Sequence, residues 1–279
     1  MDNLKLNLEF AKNLITSFIK EEKEKIGLKK GIIALSGGVD SVLVSYLSTL
    51  ALGKEDVVAI NMPYGELGKK GSEDSIKICE ILNIRYEIID IKPLIDSYFD
   101  LEEMDNLRKG NFMARMRMNI VFDKAKKFDG FVIGCSNKSE LLIGYSTWYG
   151  DMAASILPLG DLYKTQVYLL SKYLGIPNYI INKVPSAELW TDQTDEGEIG
   201  ITYEELDKIL YLIVDKRMNV NELIKEGFDE EKVKKVKRML VNSQFKRRFP
   251  PIPKLSDRTI GIDYLYFRDY KNYDKNCNI

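Results

Sequence analysis

Apolar residues change their spacing twice along this chain. Over residues 4–25, Leu8, Ala11, Leu14, Ile15, Phe18 and Ile19 recur at helical intervals and predict an amphipathic helix. From Gly31 the pattern becomes short runs: Gly31–Leu35, Val57–Met62, Arg85–Ile91 and Gly130–Cys135, each rich in Ile and Val. Runs of that length suit strands buried on both faces. Helical stretches at Ser41–Leu52, Ser72–Asn83 and Asn111–Phe128 separate them. This alternation predicts βαβ units and hence an α/β fold, an open parallel sheet covered by helices on both faces.

After Pro158 the strands stop. Asp161–Leu174 reads as a helix with Asp161 as N-cap, ended by Gly175 and Pro177. Leu189–Gly200 has no periodicity and reads as a loop. Helices are expected at Tyr203–Val214, Asn219–Glu226 and Glu230–Leu240, and the tail from Pro250 carries aromatic clusters but no clear element. We expect one domain over residues 1–279: a helical N-terminus (1–28), an α/β core (29–160) and a helical C-terminal extension (161–279).

Charge narrows the partners. Lys and Arg number 41 against 42 Asp and Glu, so no global basic field argues for nucleic acid. No apolar run is long enough to span a membrane, and the first residues lack the basic and apolar regions of a secretion signal. The three cysteines, Cys79, Cys135 and Cys277, are far apart and form no CxxC, which fits a reducing cytoplasm. The chain has 0 histidines, which excludes Ser-His-Asp and Cys-His catalysis and histidine-ligated metals. A catalytic metal here must rest on oxygen ligands, as magnesium does. Locally, Glu188–Asp207 holds eight acids and no base, while Asp229–Arg248 holds eight bases against three acids. Most of these read as solvated faces. Lys246-Arg247-Arg248, after a helix and before a proline stop, is placed to hold an anion.

The strand-like Ile32–Leu35 runs into Ser36-Gly37-Gly38-Val39-Asp40-Ser41 and then into an amphipathic helix. Strand, glycine turn and helix N-terminus together make an anion site, because free backbone N–H groups point outward and the helix dipole adds positive potential. Gly37 and Gly38 let the backbone approach a phosphate, and Ser36 and Ser41 offer hydroxyls. Asp40 would repel a bare phosphate; it makes sense if it holds a divalent cation that bridges to phosphates. The loop is neither a Walker A sequence nor a GxGxxG turn.

SGGVDS after a first strand resembles the pyrophosphate-binding loop of the ATP pyrophosphatase superfamily. Further segments resemble NAD synthetases in the same order: Gly110–Met118 (GNFMARMRM), Val132–Glu140 (VIGCSNKSE), Gly144–Asp151 (GYSTWYGD), Leu157–Gln166 (LPLGDLYKTQ), Pro185–Leu189 (PSAEL), Thr194–Glu205 (TDEGEIGITYEE) and Phe245–Pro250 (FKRRFP). The resemblance covers roughly residues 32–252 and lacks the glutaminase domain of the larger family members, so it implies the ammonia-dependent type.

It implies an ATP site at Ala34, Leu35, Ser36, Gly37, Gly38, Val39, Asp40, Ser41, Cys135, Lys164 and Ser186, with magnesium on Asp40 and Glu140. It implies deamido-NAD contacts at Asn111, Arg115, Trp148, Ser155, Phe245 and Lys246, with ammonia as nucleophile. It also implies a homodimer. The departures fall mostly on the acceptor side. Trp148 stands at a family Lys, Ser155 at an Asp and Phe245 at a His, while Cys135 replaces an ATP-site Thr. Two alternatives stay open: a paralogue that amidates another carboxylate, and a nucleotide-binding protein without turnover.

Overall fold

The computed structural model describes residues 4–190 and 192–264. Cys277 and the aromatic residues beyond Tyr264 lie outside them. Strands β1 (Lys30–Ala34), β2 (Val57–Asn61), β3 (Arg85–Ile88) and β4 (Gly130–Val132) pair in parallel, in the order β3-β2-β1-β4. Ile32 sits beside both Val58 and Val132. Because side chains alternate across a strand, Ile32, Val58, Ile60 and Val132 enter one layer, and Ile33, Val57, Ala59 and Phe131 enter the other. Burial on both faces explains why these strands read as continuous apolar runs.

The first layer is filled by α4 (Lys92–Phe99) and α5 (Asn106–Lys127), through Ile95, Met113, Val121 and Ala125. The second is filled by α1 (Leu8–Ile26), α2 (Val39–Leu52), α3 (Lys69–Leu82), α7 (Lys164–Tyr173) and α8 (Asn178–Ile181). A separate apolar cluster joins α6 (Lys138–Ile143), α9 (Asp195–Ile199), α10 (Tyr203–Val214), α11 (Val220–Lys225) and α12 (Glu230–Asn242). Among the described residues, no helix is long and apolar enough to cross a membrane.

The α/β expectation holds, with corrections at element ends. Asp161 does not cap α7. The helix starts at Lys164 with Tyr163 as N-cap, whose N–H donates to Gln166 Oε1 at 3.0 Å, while Asp161 pairs with Lys138 at 3.0 Å. Leu189–Gly200 is not all loop: Thr194 accepts from Gly197 N and starts α9. Five residues are too few to show a period. Helix α5 begins at Asn106 rather than Asn111, because Asp105 accepts from Arg108 N at 2.7 Å. Helix α3 begins at Lys69 rather than Ser72. The acidic and basic blocks meet in part: Lys232 of α12 pairs with Glu205 of α10 at 2.6 Å.

Candidate active site

In this strand order the chain leaves β1 toward β2 on one side and reaches β4 on the other. A crevice opens at such a switch point, beyond the strands' C-terminal ends. The loop after β1 and the loop after β4 both empty into it.

Loop 36–41 is held from within. Ser36 N donates to Ser41 Oγ at 3.3 Å, Gly38 N to Ser36 Oγ at 3.3 Å, and Ser41 Oγ to Gly38 O at 3.0 Å. Gly38 is the N-cap of α2 and supplies no side-chain oxygen, so the first-turn N–H groups of a 14-residue helix have no side-chain cap. Gly37 has φ +80°, and a Cβ there would stand 2.5 Å from Gly71 O. A Cβ on Gly71 would in turn stand 2.6 Å from Ser36 O. Only two glycines allow α3 to approach the loop this closely. Asn61, at the end of β2, braces the arrangement: its Nδ2 donates to Leu35 O at 2.8 Å, and Ser75 Oγ donates to the same carbonyl.

Asp40 lies on the first turn of α2 and Glu140 on the first turn of α6, a hundred residues later. Both reach Lys164 Nζ, at 2.6 Å from Asp40 Oδ2 and 3.1 Å from Glu140 Oε1. Lys164 is only 3% exposed. Burial alone would lower its pKa; Asp40 and Glu140 overturn this and hold the ammonium above the ordinary lysine range. Burial pushes Glu140 up to about 8, against the opposing pull of Lys164 and with a push from Asp40. Asn137 ties the pair together. Its Nδ2 donates to Asp40 Oδ1 at 2.9 Å, and its Oδ1 accepts from Glu140 N at 3.0 Å in a capping box.

Asp207 of α10 braces the rear of this cluster. Its carboxylate accepts from Ser139 Oγ and from Thr165 N, and Ser139 Oγ accepts from Lys164 N at 2.9 Å. The start of α7, and with it Lys164, is fixed by a residue outside the sheet layers. Asp195 accepts from Tyr145 OH and Tyr203 OH, each at 3.2 Å, and Lys164 Nζ lies 5.1 Å from the Tyr203 ring centre.

Cys135 is enclosed beside Ala34 O, and burial, with Asp40 and Glu140, pushes its thiol up. Ser186 Oγ accepts from Glu188 N at 3.1 Å. That turn reaches α3 through Glu188, whose Oε2 would stand 2.9 Å from a Cβ on Gly71 and whose Oε1 pairs with Lys183 at 2.8 Å. Glu188 holds φ 49°, a strained value for this residue type.

Five of the six expected acceptor residues gather on segment 144–151. Asn111 Oδ1 accepts from Thr147 Oγ1 at 2.8 Å, and Arg115 Nε donates to Trp148 O at 3.2 Å. Trp148 stacks on Tyr149 at 4.4 Å and meets Phe245 edge-on at 5.2 Å. Two of the positions expected to depart from the family pattern therefore pack against each other. Lys246 Nζ donates to Gly144 O at 2.7 Å and Ser146 O at 2.6 Å. Arg247 donates to Leu141 O, Leu142 O and Leu240 O. Two of the three cations at 246–248 thus donate to backbone carbonyls. Ser155 is apart from this group, its Oγ accepting from Val132 N at the end of β4.

The donor set fits a magnesium-like ion. Among the described residues no cluster of three or more metal-ligating side chains exists, so an ion would rest on Asp40 and Glu140 plus ligand oxygens. Two carboxylates completed by phosphates are the usual protein share of a magnesium site. Sequence reasoning missed Asn137, Asn61, Asp207 and Asp195. Only Asn137 had a local signal, the Asn-x-x-Glu spacing of a capping box.

Known proteins resemble this chain in sequence and in fold. The sequence model for NAD synthase matches residues 11–250. The NH(3)-dependent NAD(+) synthetase of Trichlorobacter lovleyi is 45% identical over 271 residues, which is 97% of this chain and 99% of the relative. That of Fusobacterium nucleatum is 45% identical over 260 residues, 91% and 99% of the two chains. Among solved structures, the NH3-dependent NAD synthetase of Campylobacter jejuni superposes with a TM-score of 0.77 at 32% identity, covering 90% of this chain and 100% of that one. The NMN synthetase of Francisella tularensis superposes with a TM-score of 0.80 at 29% identity, with the same coverage. With a family match over residues 11–250 and near-full-length relatives at 45% identity, this chain belongs to the NAD synthase family.

Proposed function

We propose that the chain is an ammonia-dependent ligase that converts deamido-NAD to NAD at the expense of ATP. The observation that carries this reading is the convergence of Asp40 and Glu140 on Lys164 beside loop 36–41, at the switch point between β1 and β4. The near-full-length likeness to NH(3)-dependent NAD(+) synthetases supports it. Low cysteine use supports a cytoplasmic setting, and the resemblance supports a homodimer of one-domain chains.

The acceptor's nicotinate carboxylate attacks the α-phosphorus of ATP. A carboxylate-oxygen to phosphorus bond forms, the bond to the β-phosphate breaks, and pyrophosphate leaves. Ammonia then attacks the acyl carbon, the bond to AMP breaks, and a proton passes to solvent. No residue needs to form a covalent bond, so the protein's work is positioning and charge neutralisation.

In the first step the N–H groups of the first turn of α2 and the hydroxyls of Ser36 and Ser41 hold phosphate oxygens. Ala34, Leu35 and Cys135 border them through backbone and enclosed side chain, and Ser186 closes the far side. Lys164 carries a positive charge to the departing pyrophosphate. Magnesium on Asp40 and Glu140 would supply further neutralisation. Asn137 fixes both carboxylates in register. On the acceptor side, Asn111, Arg115 and Lys246 set the shape of segment 144–151. The aromatic faces of Trp148, Tyr149 and Phe245 cover a ring or ribose where other family members place charges.

The test is substrate competition. With ATP, magnesium and ammonia, the chain should amidate deamido-NAD with a kcat/KM above that for nicotinate mononucleotide, the shorter acceptor. Preference for the mononucleotide would overturn the acceptor assignment and keep the ligase.

A further inference from the structure

Helix α7 is capped from outside itself. Its N-cap residue is Tyr163, whose OH donates to Asp215 Oδ2 and is not free to accept from the first turn. The two leading N–H groups of α7 are met by other helices. Lys164 N donates to Ser139 Oγ of α6 at 2.9 Å, and Thr165 N donates to Asp207 Oδ2 of α10 at 2.8 Å. Ser139 Oγ donates in turn to Asp207 Oδ1, so one carboxylate closes both arms. Only a carboxylate has an acceptor oxygen for each of the two donors; an amide of the same shape has one.

Ser139 and Asp207 are both 0% exposed. Among the described residues, Asp207 has no Lys or Arg in ion-pair reach. A buried carboxylate without a counter-ion is stable only through charge-assisted hydrogen bonds of this kind. Its neighbours Leu206, Ile209 and Leu210 are buried in the apolar cluster of the helical extension. The extension, not the sheet, therefore sets where α7 begins.

Lys164 is thus restrained at both ends. Its Nζ is held by Asp40 and Glu140, the two residues that would hold magnesium. Carboxylates engaged by an ion restrain the ammonium less. The hold that remains is the one on the backbone.

We propose that Asp207 is a positioning residue for Lys164: acting through Ser139 Oγ and Thr165 N, it keeps the ammonium at the phosphates of ATP once Asp40 and Glu140 are engaged. The proposal rests on the reading of this site as an ATP-dependent ligase. A displacement of about 1 Å at a reacting centre can cost on the order of a hundredfold in rate.

Asp207→Asn keeps the shape but only one acceptor oxygen, so one of the two donors loses its partner. Pyrophosphate release at saturating substrates should fall by about tenfold or more. KM for ATP should rise severalfold, while KM for deamido-NAD stays the same. A merely structural defect removes active protein and leaves both KM values unchanged. Calorimetric titration with ATP and magnesium, without acceptor or ammonia, should show the same weakening. Ser139→Ala should also weaken ATP binding, and Ser139→Ala/Asp207→Asn should weaken it no further than the stronger single variant, as for two links of one chain. Where Asp207→Asn does not fold, Ser139→Ala, which leaves the bond to Thr165 in place, decides by the same titration. Unchanged ATP affinity in a folded variant would overturn the proposal, and so would equal rises in KM for ATP and for deamido-NAD. If the unmutated protein fails to amidate deamido-NAD, the reaction falls, and the ATP titration still decides the role of Asp207.

Discussion

Replacing Glu140 with Gln should make the metal-free, nucleotide-free protein more stable at alkaline pH while ending its turnover. Burial, more than its neighbours, pushes the Glu140 carboxyl from an ordinary 4.5 up to about 8. The folded state therefore keeps a proton that the unfolded chain has lost. Between those two pH values the folded state binds more protons than the unfolded one, so stability falls as pH rises and stops falling above about 8. Each pH unit over the interval is worth about 1.4 kcal/mol, so the full loss is on the order of 4–5 kcal/mol, with about 3 kcal/mol of it present at pH 7. Glutamine has nearly the same shape, still completes the capping box with Asn137, and leaves Lys164 paired one-to-one with Asp40. Urea unfolding in chelator should show Glu140→Gln more stable than the parent by about 2–5 kcal/mol at pH 8, and within about 1 kcal/mol at pH 5. Pyrophosphate release should be lost at both. Equal stability of the two proteins at pH 8, or a difference that does not shrink toward pH 5, would refute the reasoning.

Lys164→Met leaves Asp40 and Glu140 without the ammonium they share, so chemical denaturation above pH 8, where both are ionised, should report a loss of about 3–5 kcal/mol, together with loss of ATP turnover. Gly37→Ala places a Cβ 2.5 Å from Gly71 O at a φ of +80°, and thermal unfolding should show a loss of about 1–3 kcal/mol. Its KM for ATP should rise, because α3 must move away from the loop. Trp148→Lys gives up the contacts with Tyr149 and Phe245, about 1–2 kcal/mol, while amidation of deamido-NAD persists with a modestly changed KM. An inactive yet folded Trp148→Lys protein would show that the indole's contact with substrate is essential.

The parallel sheet was legible because strands buried on both faces must be apolar throughout, and Gly31–Leu35 and Val57–Met62 are. Loop 36–41 was legible because glycines, serines and an acid between strand and helix have few other uses. What joins distant segments left no local mark. The contacts of Lys164 with Asp40 and of Ser139 with Asp207 span 124 and 68 residues, and an isolated buried Lys or Asp has no period or motif of its own. The basic triplet was ambiguous for a different reason. A cation near a helix end can hold an external anion or the helix's own carbonyls, and both need the same donors. Lys246 and Arg247 take the carbonyls. Trp148 and Phe245 show the limit of aligning positions singly. Each is a departure alone, and only the fold shows that they form one aromatic group.

The central claim is tested most directly by one stoichiometry. Purified chain would be incubated with ATP, magnesium, ammonium and deamido-NAD, and NAD, AMP and pyrophosphate would be counted in the same samples. The account predicts equal amounts of the three, no ADP, and no NAD when ammonium is withheld. AMP and pyrophosphate released without NAD, or NAD formed alongside ADP and phosphate, would contradict it.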